Sequence, residues 1–138
     1  MFEYVLKNLG LKKALVFCGS DGLDEITLTG KTFVSEYDGQ EIKSYDISPD
    51  EFGLKISELK DIEGGDLNDN VKIFQDILQG ASGPKRDIVL LNAAYAFYIT
   101  GRVKDIMDVI DLAREVIDSG KAMKKLEELK NFTNSKLS

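Results

Sequence analysis

The feature that most constrains the fold is the segment from Pro84 to Thr100, which is apolar on nearly every side. Its longest apolar run, Ile88 to Ile99, is interrupted by Asn92 and is shorter than the roughly 20 residues that span a bilayer. A helix without a polar face must be covered by other parts of the chain. The sequence therefore predicts one compact domain with this helix as its most buried element, and no membrane partner.

The N-terminal third has a different pattern. Apolar residues at helical spacing before Gly10 predict a short first helix. Ala14 to Cys18 is a compact apolar run, typical of a buried strand in a parallel sheet. Three later stretches are rich in β-branched and aromatic residues, and Asp38-Gly39 is typical of a hairpin turn. They predict an antiparallel meander and are Ile26 to Leu28, Thr32 to Tyr37 and Gln40 to Ile47.

Capping signals and apolar stripes predict helices for the rest of the chain. Ser48-Pro49-Asp50-Glu51 predicts a short helical turn that ends at Gly53. Asp66 as N-cap and Gly80 as stop delimit the next helix. Two further stripes follow the Pro84 to Thr100 helix, before a polar tail that we expect to fray after Phe132. Their residues are Val103, Ile106, Met107, Ile110, Ala113 and Ile117, then Ala122, Met123, Leu126 and Leu129.

Together these patterns predict the α/β class. The expected parts are a partial sheet with one buried parallel-type strand, an antiparallel β meander, and a C-terminal set of four helices.

Missing residue types exclude several kinds of chemistry. The chain has no histidine, which excludes an imidazole base and a His-ligated metal site. Cys18 is the single cysteine, so no internal disulfide can form, and we expect a reducing, cytoplasmic location. The net charge of −6 argues against a nucleic-acid partner, which would need clustered basic residues. Small molecules or proteins are the expected partners.

The stretch CGSDGLDEIT places Asp24 and Glu25 behind a glycine-rich turn. Mg²⁺ is commonly held by one or two carboxylates together with water and substrate phosphates. Open α/β sheets place ligands beyond the carboxyl ends of their strands. We therefore predict a loop at the C-terminal end of the Ala14 to Cys18 strand, with at least one carboxylate accessible. The alternative is a solvated acidic turn. Asp21 is a weaker metal candidate than Asp24 and Glu25, because turns commonly have aspartate before glycine.

Other polar candidates have simpler structural interpretations. Gly64-Gly65-Asp66 is interpreted as a helix cap, because no strand precedes it as in a phosphate-binding loop. Asn92 is interpreted as a buried amide that holds a loop. The remaining assignments are Cys18 as the apolar end of a strand, Lys85 and Arg86 as a solvated helix end, and Tyr95, Phe97 and Tyr98 as core residues.

Five segments, in this order, resemble the C-terminal portion of the anthranilate phosphoribosyltransferase family. They are KKALVFCGSDGLDEITLTGKTFVSEY, SPDEFG, GGDLNDN, GPKRDIVLLNAAYAFYITG and AREVIDSGKAMKKLEEL. The resemblance implies transfer of a phosphoribosyl group from 5-phosphoribosyl 1-diphosphate (PRPP) to anthranilate, a step of tryptophan biosynthesis. It also implies a magnesium-dependent homodimer in which Asp24 and Glu25 bind Mg²⁺ at the diphosphate.

Departures from the family pattern limit what the resemblance implies. The family's Gly-Thr-Gly-Gly-Asp and Lys-His-Gly-Asn-Arg segments do not occur here, and Cys18 stands where the family usually has histidine. The resemblance also implies that the N-terminal helical domain through which the family dimerises lies outside residues 1–138. The resemblance thus implies that residues 1–138 are the C-terminal portion of the large α/β domain, inactive alone. The competing hypotheses are a related pyrimidine nucleoside phosphorylase and a non-catalytic structural or interaction module.

Overall fold

The structure is a computed structural model that describes residues 2–101 and 105–135. A three-stranded sheet in the N-terminal third is followed by a largely helical remainder, which confirms the α/β class. The elements in chain order are α1 (Phe2–Asn8), β1 (Ala14–Gly19), β2 (Thr32–Tyr37), β3 (Ile42–Ile47), a 3₁₀ turn (Pro49–Phe52), α2 (Leu59–Ile62), α3 (Leu67–Leu78), α4 (Pro84–Ile99), α5 (Ile106–Asp118) and α6 (Lys121–Ser135).

The sheet has the order β1-β2-β3 and both pairs are antiparallel. Val34 of β2 lies opposite Phe17 of β1 and Tyr45 of β3. The expectation of a buried, parallel-type first strand is therefore wrong for the pairing described here. Residues 15–17 are only partly buried and Cys18 is exposed. An unbroken apolar run such as that of β1 does not determine whether the strand pairs in parallel or antiparallel, or whether both of its faces are buried.

The expected strand from Ile26 to Leu28 is also absent, and β1 is the first strand of the meander instead. Residues 26–28 are almost fully buried, but they form a loop. Side chains and a distant backbone amide, rather than a neighbouring strand, satisfy their backbone groups. Burial of β-branched residues was predicted correctly, whereas the strand was not.

The helix boundaries follow the capping signals. Asp66 Oδ1 accepts hydrogen bonds from the amides of Asn68 and Asp69 at 2.8 and 3.0 Å, which confirms it as the N-cap of α3. Gly80, just past this helix, has a φ of 91°, a conformation that only glycine adopts readily. The four predicted C-terminal helices are confirmed as α3 to α6, and α2 is an additional single turn. Val103, expected in the α5 stripe, lies outside the described residues, and α6 continues to Ser135 rather than fraying after Phe132.

Helix α4 is central, as its composition predicted. Leu91 and Ala94 have no solvent exposure and share a core with Val34 and Ile47 of the sheet and with Val109 of α5. Leu90 packs in a second cluster with α5 residues Ala113 and Ile117. The sheet and α5 thus both pack against α4.

Aromatic and polar contacts join α4 to the sheet. Tyr95 is buried and meets Phe17 of β1 edge to face, with ring centroids 5.6 Å apart. Glu36 of β2 accepts hydrogen bonds from the hydroxyls of Tyr98 and Tyr45, at 3.1 and 2.9 Å. The predicted core position of Tyr95 is confirmed, while Phe97 and Tyr98 are partly buried.

Arg86 contradicts its interpretation as part of a solvated helix end. Its side chain is 11% exposed, and it contacts Gly80 and Asp118 instead of solvent. The Lys85 ammonium donates to the carbonyl of Glu63. Among residues 2–101 and 105–135, no helix combines the length and apolar character needed to cross a membrane.

Candidate functional site: the acidic loop between β1 and β2

The acidic loop, residues 20–31, leaves the sheet at the C-terminal end of β1 and returns at the start of β2. The amide of Gly19 donates to the carbonyl of Leu23 at 2.9 Å, and that of Ser20 donates to Lys31 at 2.8 Å. Asp24 and Glu25 lie at the exposed part of this loop. Their predicted location, with accessible carboxylates beyond the first strand, is confirmed.

The segment that follows Glu25 is anchored in the core. Ile26 is 1% exposed, and its amide donates to Asn92 Oδ1 of α4 at 3.0 Å. Asn92 Nδ2 donates in return to the carbonyls of Ile26 and Ile88, at 2.8 and 2.9 Å. The sequence-based interpretation of Asn92 as a loop-holding amide is thereby confirmed. The position of Glu25 thus depends on a helix that lies far away in the sequence.

Asp21 has a carboxylate that is already engaged. Its Oδ2 accepts from the hydroxyls of Thr27 and Thr29, both at 2.5 Å, and its Oδ1 accepts from the amide of Leu23 at 3.0 Å. Partial burial raises the pKa of Asp21, but these hydrogen bonds outweigh it and hold the pKa below the ordinary value. The turn role predicted for Asp21 is correct. The hydrogen bonds from Thr27 and Thr29 to Asp21 were not predicted, although the Thr-x-Thr spacing offered a signal.

Asp24 and Glu25 differ from Asp21 in having no protein partner among the residues that the structure describes. Within the described residues, no hydrogen bond or ion pair occupies either carboxylate. Partial burial, followed by the charges of Asp24 and Asp21, raises the pKa of Glu25. Unneutralised like charges favour the binding of either a proton or a cation. The exposed part of the loop therefore carries concentrated negative charge that this part of the chain does not neutralise.

The donor set fits a hard divalent cation only in part. Two carboxylates supply the oxygen ligands that Mg²⁺ prefers, together with water and substrate phosphates. No group of three or more Cys, Asp or Glu side chains converges as a metal site in the portion that the structure describes. Asp24 and Glu25 are therefore too few to complete the coordination shell of such an ion by themselves.

Comparison with known proteins decides the family. The model of the glycosyl transferase family, a/b domain, matches residues 1–123. This chain belongs to that family. The anthranilate phosphoribosyltransferase of Acetivibrio thermocellus is 47% identical over 134 residues, which are 97% of this chain and 39% of that protein.

Solved structures of anthranilate phosphoribosyltransferases are similar in fold to this chain. The anthranilate phosphoribosyltransferase of Saccharomyces cerevisiae in complex with 4-fluoroanthranilate has a TM-score of 0.82 at 28% identity, covering 89% of this chain and 36% of that one. The same yeast enzyme in complex with PRPP and Mg has a TM-score of 0.75 at 29% identity, covering 82% and 33%.

The resemblance drawn from the sequence motifs is thus confirmed. These relatives carry the anthranilate phosphoribosyltransferase name, which favours that reading over a pyrimidine nucleoside phosphorylase. This family member spans less than two-fifths of the length of the relatives it matches.

Proposed function

We propose that the chain contributes the C-terminal, metal-binding part of an anthranilate phosphoribosyltransferase. That enzyme transfers the phosphoribosyl group of PRPP to the amino group of anthranilate, giving N-(5-phosphoribosyl)anthranilate and diphosphate in tryptophan biosynthesis. The observation that carries the proposal is the pair of carboxylates, Asp24 and Glu25, which lie on a loop anchored to the core and have no partner within residues 2–101 and 105–135. A structural neighbour in complex with PRPP and Mg supports it.

Asp24 and Glu25 are the residues that would hold Mg²⁺. An ion held by these residues would supply positive charge that stabilises the diphosphate leaving group, which becomes more negative as the bond from ribose C1 to oxygen breaks. The chain has a net charge of −6, which disfavours a polyanionic substrate, and a cation at the acidic loop would offset this repulsion of PRPP. The anthranilate amine is a neutral nucleophile, and the absence of histidine is therefore no obstacle to this reaction.

The anchoring of the loop gives the carboxylates a defined place. Asn92 ties Ile26 to α4 directly after Glu25, while the Gly19-to-Leu23 hydrogen bond closes the turn before Asp24. Ligands held in place before binding lose little conformational freedom when they bind.

The remaining parts of the proposal concern assembly and location. We propose homodimerisation through an N-terminal helical domain, as the family resemblance implies. We also propose a cytoplasmic location, which the unpaired thiol of Cys18 supports.

The test uses the protein expressed from its complete gene, with magnesium-dependent formation of phosphoribosylanthranilate followed by fluorescence. The carboxylate-pair variant Asp24→Asn/Glu25→Gln should lose about 100- to 1,000-fold in turnover, because a preorganised group that stabilises charge is removed. The matched control is Glu127→Gln/Glu128→Gln, an adjacent exposed pair on α6. Turnover of the carboxylate-pair variant equal to that of the control would refute the proposal.

A further inference from the structure

Asp21 lies three residues before Asp24, yet its carboxylate faces the protein. Both oxygens are used, Oδ2 by two hydroxyls and Oδ1 by an amide. A carboxylate has about four acceptor positions, of which three are occupied here. Little of Asp21 is left to coordinate an ion, in contrast to Asp24 and Glu25.

The hydrogen bonds of Asp21 cross the acidic loop from one arm to the other. Asp21 belongs to the arm that leaves β1, whereas Thr27 and Thr29 belong to the arm that enters β2. Asp24 and Glu25 lie between these arms. The carboxylate of Asp21 therefore closes the base of the segment that carries the two candidate ligands.

The partners of Asp21 are held in place themselves. Thr27 is fully buried, and its amide donates to Thr32 Oγ1 at the first residue of β2. The amide of Thr29 donates to Thr27 Oγ1 at 3.0 Å. The bridge, meaning the hydrogen bonds from Thr27 and Thr29 to Asp21, is thus connected to the sheet. Movement of Asp21 would be transmitted to the acidic loop.

Gly19 indicates how closely the bridge fits against the end of β1. A Cβ at this position would collide with Asp21 Oδ1 and lie 3.2 Å from the Cγ2 of Thr27. Glycine at the end of the strand leaves the space that the carboxylate needs to reach both threonines.

We propose that Asp21 is a positioning residue, which bridges the two arms of the acidic loop through Thr27 and Thr29 and is not a third metal ligand. This inference rests on the proposed function. It assigns distinct roles to the three acidic residues of one short motif: Asp21 shapes the loop, and Asp24 and Glu25 bind the ion.

Thr29 supplies the test, because its hydroxyl can be removed without touching a carboxylate. In the complete protein, Mg²⁺ binding in the presence of PRPP is measured by calorimetry for Asp21→Ala, Thr29→Val, Thr29→Ser and the double variant Asp21→Ala/Thr29→Val. Hydrogen exchange of peptides covering residues 20–31, without ligand, reports the loop independently of metal and activity.

The bridge predicts a defined pattern. Asp21→Ala and Thr29→Val each weaken Mg²⁺ binding about 10- to 100-fold, as losses around a metal site commonly do, and each accelerates exchange in the loop. The double variant is no weaker than the worse single variant, because both changes break the same bridge. Thr29→Ser keeps the hydroxyl and restores binding.

Weak Mg²⁺ binding in Asp21→Ala without faster hydrogen exchange in residues 20–31 would make Asp21 a ligand and overturn the inference, whatever the Mg²⁺ affinity of Thr29→Val. So would wild-type binding in both variants. Failure of the proposed function has a different signature, namely unchanged Mg²⁺ affinity in the carboxylate-pair variant Asp24→Asn/Glu25→Gln. If Asp21→Ala does not fold, the comparison of Thr29→Val with Thr29→Ser still decides the question.

Discussion

Arg86 Nη2 lies 2.7 Å from Asp118 Oδ1 and joins the start of α4 to the end of α5. Arg86 Nη1 also donates to the carbonyl of Gly80, just past α3, at 2.9 Å. One guanidinium therefore holds the ends of three helices together. Its Nε is buried without a hydrogen-bond partner in the part of the chain described, which offsets some of this stabilisation.

Replacing Arg86 by methionine should destabilise the chain by about 1–3 kcal/mol, because the carbonyl of Gly80 loses its donor and Asp118 loses its charge partner. Arg86→Lys should recover little, since one ammonium cannot reproduce the planar fork. Urea unfolding measures the free energy of unfolding of both Arg86 variants. Arg114→Met is the matched control, because Arg114 forms an exposed pair with Asp111 that should contribute less than about 1 kcal/mol. Equal losses for Arg86→Met and Arg114→Met would contradict the prediction.

Changing Asn92 to aspartate should cost about 1–3 kcal/mol at neutral pH, because a charged oxygen replaces the amide group that donates to Ile26 and Ile88. The loss should shrink in acid, where the protonated side chain can donate again. Thermal unfolding across a pH series measures this. Asn68→Asp, an exposed position in the first turn of α3, should change stability by less than about 0.5 kcal/mol. A pH-independent loss at position 92 would argue against the hydrogen-bond clamp.

Glu25→Gln should stabilise the metal-free chain at neutral pH. Partial burial, then the charges of Asp24 and Asp21, raise the pKa of Glu25, so the folded chain holds this proton more tightly than the unfolded chain does. Stability linked to Glu25 is therefore lost as pH rises from the ordinary carboxyl range through the raised pKa. The melting temperature of Glu25→Gln should exceed that of the wild-type chain at neutral pH, and the two melting temperatures should be equal below about pH 4.

The control for this experiment has the opposite electrostatics. A hydrogen bond from Lys125 lowers the pKa of Glu128, so Glu128→Gln should bring no gain at neutral pH. A neutral-pH gain of the same size in Glu128→Gln would show that the effect is not specific to the acidic loop.

The 138-residue chain by itself should show no measurable phosphoribosyl transfer, even with Mg²⁺ and both substrates. Two carboxylates are too few for a complete magnesium site, and reactants must be held at attack distance to gain rate. The fluorescence assay for phosphoribosylanthranilate, run beside the Acetivibrio thermocellus enzyme, measures this. Turnover within about tenfold of that control would show that the chain contains a complete catalytic site.

Local signals were sufficient to predict much of the fold. The bounds of β2 were predicted to the residue, and α4 to within one residue. Gly53 and Gly80 were correctly predicted as stops, since both adopt the left-handed conformation that glycine favours. Each of these predictions depends on residues within a few positions of one another.

The errors concern partners that are distant in the sequence. Arg86 was expected in solvent because its neighbours are charged, whereas its partner Asp118 lies 32 residues away. Residues 26–28 were expected to be a strand because of their β-branched composition, and nothing nearby indicates that Asn92 satisfies the backbone of Ile26 or that Ser57 donates to Leu28. For the candidate site, the sequence placed Asp24 and Glu25 correctly in the loop beyond β1 and assigned Asp21 to the turn, but the hydrogen bonds from Thr27 and Thr29 to Asp21 were not predicted.

The clamp between Asn92 and Ile26 also constrains the order of folding. It closes a separation of 66 residues, and contacts of such length form only after the entropy of loop closure has been met by other interactions. The β2-β3 hairpin and the individual helices are local and can form early. Glu25 acquires its final place only when α4 docks onto the sheet, so a folding intermediate that contains the hairpin alone would carry the acidic motif without its geometry.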